Sequence, residues 1–99
     1  MRVRLVSGGR ECLVGRFVGE FVGGVCRAIA GSLKAPAANR RIELSLEQDR
    51  VELRIDGRSV ALDGSQGFAA TIVADTIRGM VRHLKDVDAD GALRIEVDL

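Results

Sequence analysis

Three aspartates at alternate positions, Asp86, Asp88 and Asp90, run into Gly91 near the end of the chain. Spaced carboxylates before a glycine are how a helix-loop calcium site begins. Its ligands come from loop positions 1, 3 and 5, and a glycine at 6 permits the sharp bend. With Asp86 at position 1, that much of the pattern is met. Position 12 should hold a bidentate glutamate, but Val97 stands there and Glu96 is one residue early. The residues that follow, RIEVDL, alternate as a strand and not as a second helix. The first reading is a polar helix-to-strand turn, and calcium at Asp86, Asp88 and Asp90 is the alternative.

A second place for chemistry is Ser7-Gly8-Gly9-Arg10. A strand over residues 2 to 6 leading through this loop into a helix would present free backbone N–H groups to an anion. Arg10 and Arg16 would add charge. The ligand class is a phosphorylated or other anionic small molecule. The stretch RVRLVSGGRECLVGRF resembles the phosphate loop of the acylphosphatases, whose chain length and βαββαβ order are similar. That family's loop reads G-x-V-Q-G-V-x-F-R, which this sequence does not contain, so no membership follows.

The two cysteines, Cys12 and Cys26, lie fourteen residues apart with no C-x-x-C pair, and His83 is the only imidazole. A thiolate zinc site therefore lacks ligands. Both thiols are expected to be buried as small apolar groups, and Cys12 near Arg16 is the candidate for a reactive thiol. No serine or aspartate stands near His83 at a triad-like spacing. The sequence implies no catalytic residues and no cofactor.

These residues must be positioned by one domain, since 99 residues suffice for a single core. A hydrophobic content of 46% with 29% charged residues excludes a disordered chain. With no Trp or Tyr and three Phe, the core is aliphatic and stacking platforms for nucleic acid are missing. Nucleic acid is accordingly an unlikely partner, although the first part of the chain is rich in arginine. No apolar run reaches the ~20 residues of a membrane helix, and the N-terminus lacks a secretory pattern. The expected location is the cytoplasm, with no membrane partner. Residues 1 to 41 carry a net +6 and residues 42 to 99 a net −5. Such a split suits an anionic ligand on the first part or two copies meeting head to tail.

Period and punctuation give the elements. Residues 2–6 alternate as a strand, and residues 10–34 read as a helix ended by Ala35-Pro36. Its apolar face holds Val14, Phe17, Val18, Phe21, Val22, Val25, Ala28 and Ile29. Strands follow over 41–47 and 50–55, joined at Gln48-Asp49. Asp56-Gly57 then makes a hairpin into a short strand at 59–62. A second helix runs from a cap at Ser65 to about Lys85, with Ala69, Ala70, Ile72, Val73, Ile77, Met80, Val81 and Leu84 on its apolar face. A last strand covers 92–98. The order β-α-β-β-(β)-α-β predicts an α+β fold, two helices on one face of a mostly antiparallel sheet, ferredoxin-like or related.

One pattern is left over. Gly15, Gly19 and Gly23 recur every fourth residue, with Cys26 on the same flank. Each interior glycine costs about 1 kcal/mol of helix stability, so the flank must let another backbone come close. That backbone belongs either to this chain or to a second subunit. The functional expectation is a small non-catalytic binding or assembly domain that contacts a protein or itself, as a homodimer for example. An anionic-ligand site at residues 7 to 16 and nucleic-acid contact through the arginine-rich first part are the alternatives.

Overall fold

The computed structural model describes residues 1–33, 40–48, 50–60, 62 and 67–99. The helix stop at Ala35-Pro36, the Asp49 half of the first hairpin loop and the Ser65 cap lie outside the described residues. The elements are β1 (Arg2–Ser7), β2 (Arg10–Cys12), α1 (Arg16–Ser32), β3 (Arg41–Glu47), β4 (Arg50–Ile55), β5 (Arg58–Val60), α2 (Phe68–Val81) and β6 (Leu93–Asp98). The strands form one six-stranded sheet in the order β2-β1-β6-β3-β4-β5, antiparallel at every pairing. Two helices and an open antiparallel sheet make the chain α+β.

The first departure from the sequence reading falls at Gly8-Gly9. Both glycines have positive φ, 57° and 80°, the condition of a tight two-residue hairpin turn. The chain doubles back there, and Leu5 comes to lie opposite Cys12. Residues 10–12 are therefore a strand, and the helix starts at Arg16 instead of residue 10. The backbone groups of Arg10–Cys12 find partners on β1 that an isolated first helical turn would lack. Asp56-Gly57, with φ of 51° and 83°, makes the expected second turn of this kind between β4 and β5.

Both crossovers are split. β1 and β3, joined through α1, are separated by β6; β4 and β6, connected by way of β5 and α2, are separated by β3. Split connections are the ferredoxin-like trait. The central pair here, however, is β6 with β3, the last and second strands of the βαββαβ core, where a ferredoxin-like sheet centres on its first and third. The terminal strands are thus interior, and the edges are the three-residue β2 and β5. Short edges give a neighbouring chain little to pair with.

The core lies between the sheet and the two helices. One row crosses it from Leu5 through Ile95 and Leu44 to Leu53, each buried. α1 packs over β1 and β3, and α2 over β4. The face α1 turns inward is Val22, Gly23, Cys26 and Ala30. The expected core residues Phe17 and Phe21 stay outside, 78% and 53% exposed. The reason is the close approach to β1. A Cβ on Gly23 would stand 2.7 Å from the Met1 Cε and Sδ and 3.0 Å from the Val3 Cγ2. α2 likewise buries Ala70, Val73, Ile77 and Val81 and leaves Phe68 and Ile72 exposed.

Cys12 is on β2 and Cys26 on α1, so the two thiols do not share one helix as the sequence reading had it. Both are free and buried. Burial pushes the Cys26 thiol from 9.0 up to about 12. A folded-state value above the unfolded one keeps its stabilising effect below pH 9.0 and loses it as pH climbs toward about 12.

Two predictions follow from the packing. Gly24 has open space around a built Cβ and Gly19 only ordinary contacts. Gly24→Ala and Gly19→Ala are each expected to raise stability by up to about 1 kcal/mol, whereas Gly23→Val lowers it, all read by urea denaturation. Native protein is expected to leave both thiols unreacted toward a disulfide reagent until unfolded. Between pH 9.0 and about 12 its unfolding midpoint falls more than that of Cys26→Ala.

Candidate interaction groove

The residues singled out for anion binding are divided between two elements. Ser7 to Arg10 form the first hairpin turn, while Arg16 opens α1. Ser7 is buried, and its Oγ accepts a hydrogen bond from the Asp88 N–H at 3.0 Å. The Gly8 N–H donates to the Ala92 carbonyl at 2.9 Å. The Cys12 thiol donates to the Asp86 carbonyl at 3.6 Å. The hairpin turn and the aspartate turn, remote in sequence, thus brace each other. These polar groups of Ser7 and Gly8 serve that contact and do not open onto a helix N-terminus.

The aspartates have separate tasks. Asp88 Oδ1 accepts from the Asp90 N–H at 3.2 Å. A Cβ at Gly91 would come within 2.7 Å of the Asp88 Oδ2, which explains the glycine without a metal. Asp90 faces Arg82 at 3.1 and 3.3 Å. That guanidinium holds its carboxyl below the usual carboxylate range. Asp86 is exposed with φ of 63°. Among the described residues, no three His, Cys, Asp or Glu groups converge on a point that could hold a metal ion. Arg78, expected on the solvent face beside Asp75, bends over this turn and donates to the Ala89 and Gly91 carbonyls at 2.6 and 2.8 Å.

The glycine stripe is also divided. Gly23 and Cys26 are covered by the chain's own sheet, Gly19 is half-buried beside Val14 and Val3, and Gly15 is exposed at the start of α1.

Two broad surfaces remain. The helix-free face of the sheet carries charge on five of its six strands, β5 presenting Ser59 there. Its middle is Glu96 on β6, buried although it points away from the core. Its neighbour across the strand is Glu43, and two opposed carboxylates repel. Arginines from either side resolve this. Arg94 reaches Glu96 at 2.8 Å and Glu43 at 3.5 Å. Arg41 pairs with Glu96 and brings its Nε within 3.0 Å of Glu43. Arg4 joins Glu96 at 3.6 Å and Glu11 at 2.9 Å. Arg4 and Arg41 of the basic first part meet carboxylates of the acidic remainder on this face.

The other surface is the outer side of the helix layer, where α1 and α2 run antiparallel with an apolar groove between them. At one end a hollow of about 490 Å³ lies among Phe17, Phe21, Val25, Met80 and Leu84. At the other, one of about 470 Å³ lies among Ile29, Leu33, Phe68 and Ile72. Val25 and Thr76 line both. Among the described residues, His83 is the single titratable side chain along the groove. All three phenylalanines of the protein stand here, with Phe17 and Phe68 nearly four-fifths exposed. Sequence reasoning put Phe17 and Phe21 on the sheet-facing side of the first helix and gave Phe68 no place on the second. The usable signal is width: the apolar positions of each helix span more arc than one sheet can cover.

No helix among the described residues is long and apolar enough to cross a membrane. Compared with family models, with curated proteins and with solved structures, the chain matches none. What fold and surface define together is a two-layer α+β domain with an uncharged helical groove on one side and a paired-charge sheet face on the other.

The charge network yields a ranking. Glu96→Gln removes the carboxylate that Arg4, Arg41 and Arg94 share, leaving Arg4 with Glu11 and Arg41 and Arg94 with Glu43, and is expected to cost about 1–3 kcal/mol. Arg54→Met, which removes an exposed partner of Glu52, costs under about 1 kcal/mol. Urea denaturation of both variants checks the order.

Proposed function

We propose that this chain is a small non-catalytic binding and assembly domain that works by protein contact through the groove between α1 and α2. The observation that carries the reading is the position of Phe17, Phe21 and Phe68. A chain with so few aromatic residues places all of them on one surface instead of in its core. Burying an aromatic side chain is the largest apolar gain available to a residue. Clustered aromatics outside a core are characteristic of interfaces. The polar rest of the surface, with its charges paired across the sheet, supplies the contrast.

The anionic-ligand alternative has less support, because Ser7–Arg10 are a hairpin turn tied to the aspartate turn. Nucleic-acid contact has less as well. Arg4 and Arg41 stand among carboxylates, and a mixed-sign face does not draw a polyanion.

The reading is tested by amide chemical shifts. Concentrating the protein, or adding a model amphipathic helix of leucine and lysine, is expected to move resonances of residues 17–33 and 68–84. Shifts confined to the sheet face, or none by either route, would sink it.

A further inference from the structure

We infer that the occupant of the groove is a second copy of this chain, docked helix layer to helix layer about a two-fold axis that crosses the groove near Val25 and Thr76. The inference rests on the groove being the working surface. Three features point to a copy instead of a foreign partner. The first is charge. An isologous interface sets the same patch on both copies against each other, so a patch of net charge meets its own sign. Among the described residues this groove is lined by no carboxylate, lysine or arginine, and self-pairing carries no repulsion. The paired charges of the sheet lie on the opposite face, which the arrangement leaves in water.

The second is shape. The groove has two hollows of nearly equal volume, one at each end, with Val25 and Thr76 shared between them. Each end also carries exposed aromatic side chains: Phe17 and Phe21 at one, Phe68 at the other. A two-fold axis lying in the interface and perpendicular to the helices exchanges the ends. It sets Phe68 of one copy against the hollow beside Phe17 and Phe21 of the next, and the reverse. Every knob then meets a socket with one operation.

The third is area. α1 has 17 residues and is about 25 Å long, and two helices side by side make a face about 20 Å wide. Such a face covers on the order of 500 Å² in projection, short of the roughly 800 Å² per partner of a standard interface and in keeping with a weak, reversible dimer. The exposed Gly24 and Gly79, which have nothing within 4 Å of a built Cβ, leave room for the opposing helices.

Light scattering on the intact chain is the test. A particle of twice 10.6 kDa is expected, and Phe68→Glu and Phe17→Glu are each expected to weaken association by about 30-fold or more. Both sites are exposed in the single chain, so circular dichroism should be unchanged. A monomer at millimolar concentration whose groove resonances still respond to the leucine-lysine helix would overturn the self-docking and leave the groove reading standing. A monomer with a silent groove would remove both. A dimer that survives both glutamate variants uses another face, and the inference fails.

Discussion

Gly23 sets the distance between α1 and β1, and the roll of the helix follows from that distance. With Met1 and Val3 already where a side chain would go, only a helix face of small residues can sit so low on the sheet. Val22, Cys26 and Ala30 complete that face. Once it is docked, helical geometry leaves no choice for the large apolar residues: Phe17 lies half a turn round from Cys26, and Phe21 half a turn from Ala30. Phe17 and Phe21 must point along or away from the sheet, and Phe68 and Ile72 on α2 are left in the same position. The aliphatic side chains of the strands fill the core without them.

The two broad faces of the molecule are therefore unlike. The slab is 19 Å in its thinnest direction, and each face is large relative to the core. On the sheet side, carboxylates and guanidinium groups satisfy one another around Glu96, with its side chain only 11% exposed. Such a face is water-compatible, and its mixture of signs favours no one partner. On the helix side lies a groove whose lining, among the described residues, has no carboxylate, lysine or arginine. Water gains nothing from it, and another protein surface does. The contrast between the two faces comes from packing.

The hairpin at Gly8-Gly9 links these themes. By turning the chain back before the helix, it places β2 at the edge, shortens α1 and brings Ser7 against the aspartate turn. Two stretches that each suggested a ligand site are instead each other's neighbours. The backbone and carboxylate groups around Ser7, Asp88 and Asp90 have partners in protein, and Gly91 answers the closeness of the Asp88 carboxylate.

What the sequence determined by itself was local. The alternation of RIELSLE, RVELRI and LRIEVD named three strands and the face each buries, because the strand period of two separates inside from outside residue by residue. Asp56-Gly57 named its hairpin through turn chemistry. The periodic apolar positions named two helices and roughly their extent. The charged positions of the strands were visible too, although not who pairs with whom, since that needs the strand order. Gly8-Gly9 carried an equally local hairpin signal, obscured because the apolar residues after it also fit a helix. What only the tertiary structure decided was which of two apolar flanks each helix would bury. A helix with a small-residue flank beside a large one fits a sheet either way on hydrophobicity alone. The contact distance to β1 selects the small flank, and that distance is a property of two segments together, which no single stretch of sequence contains.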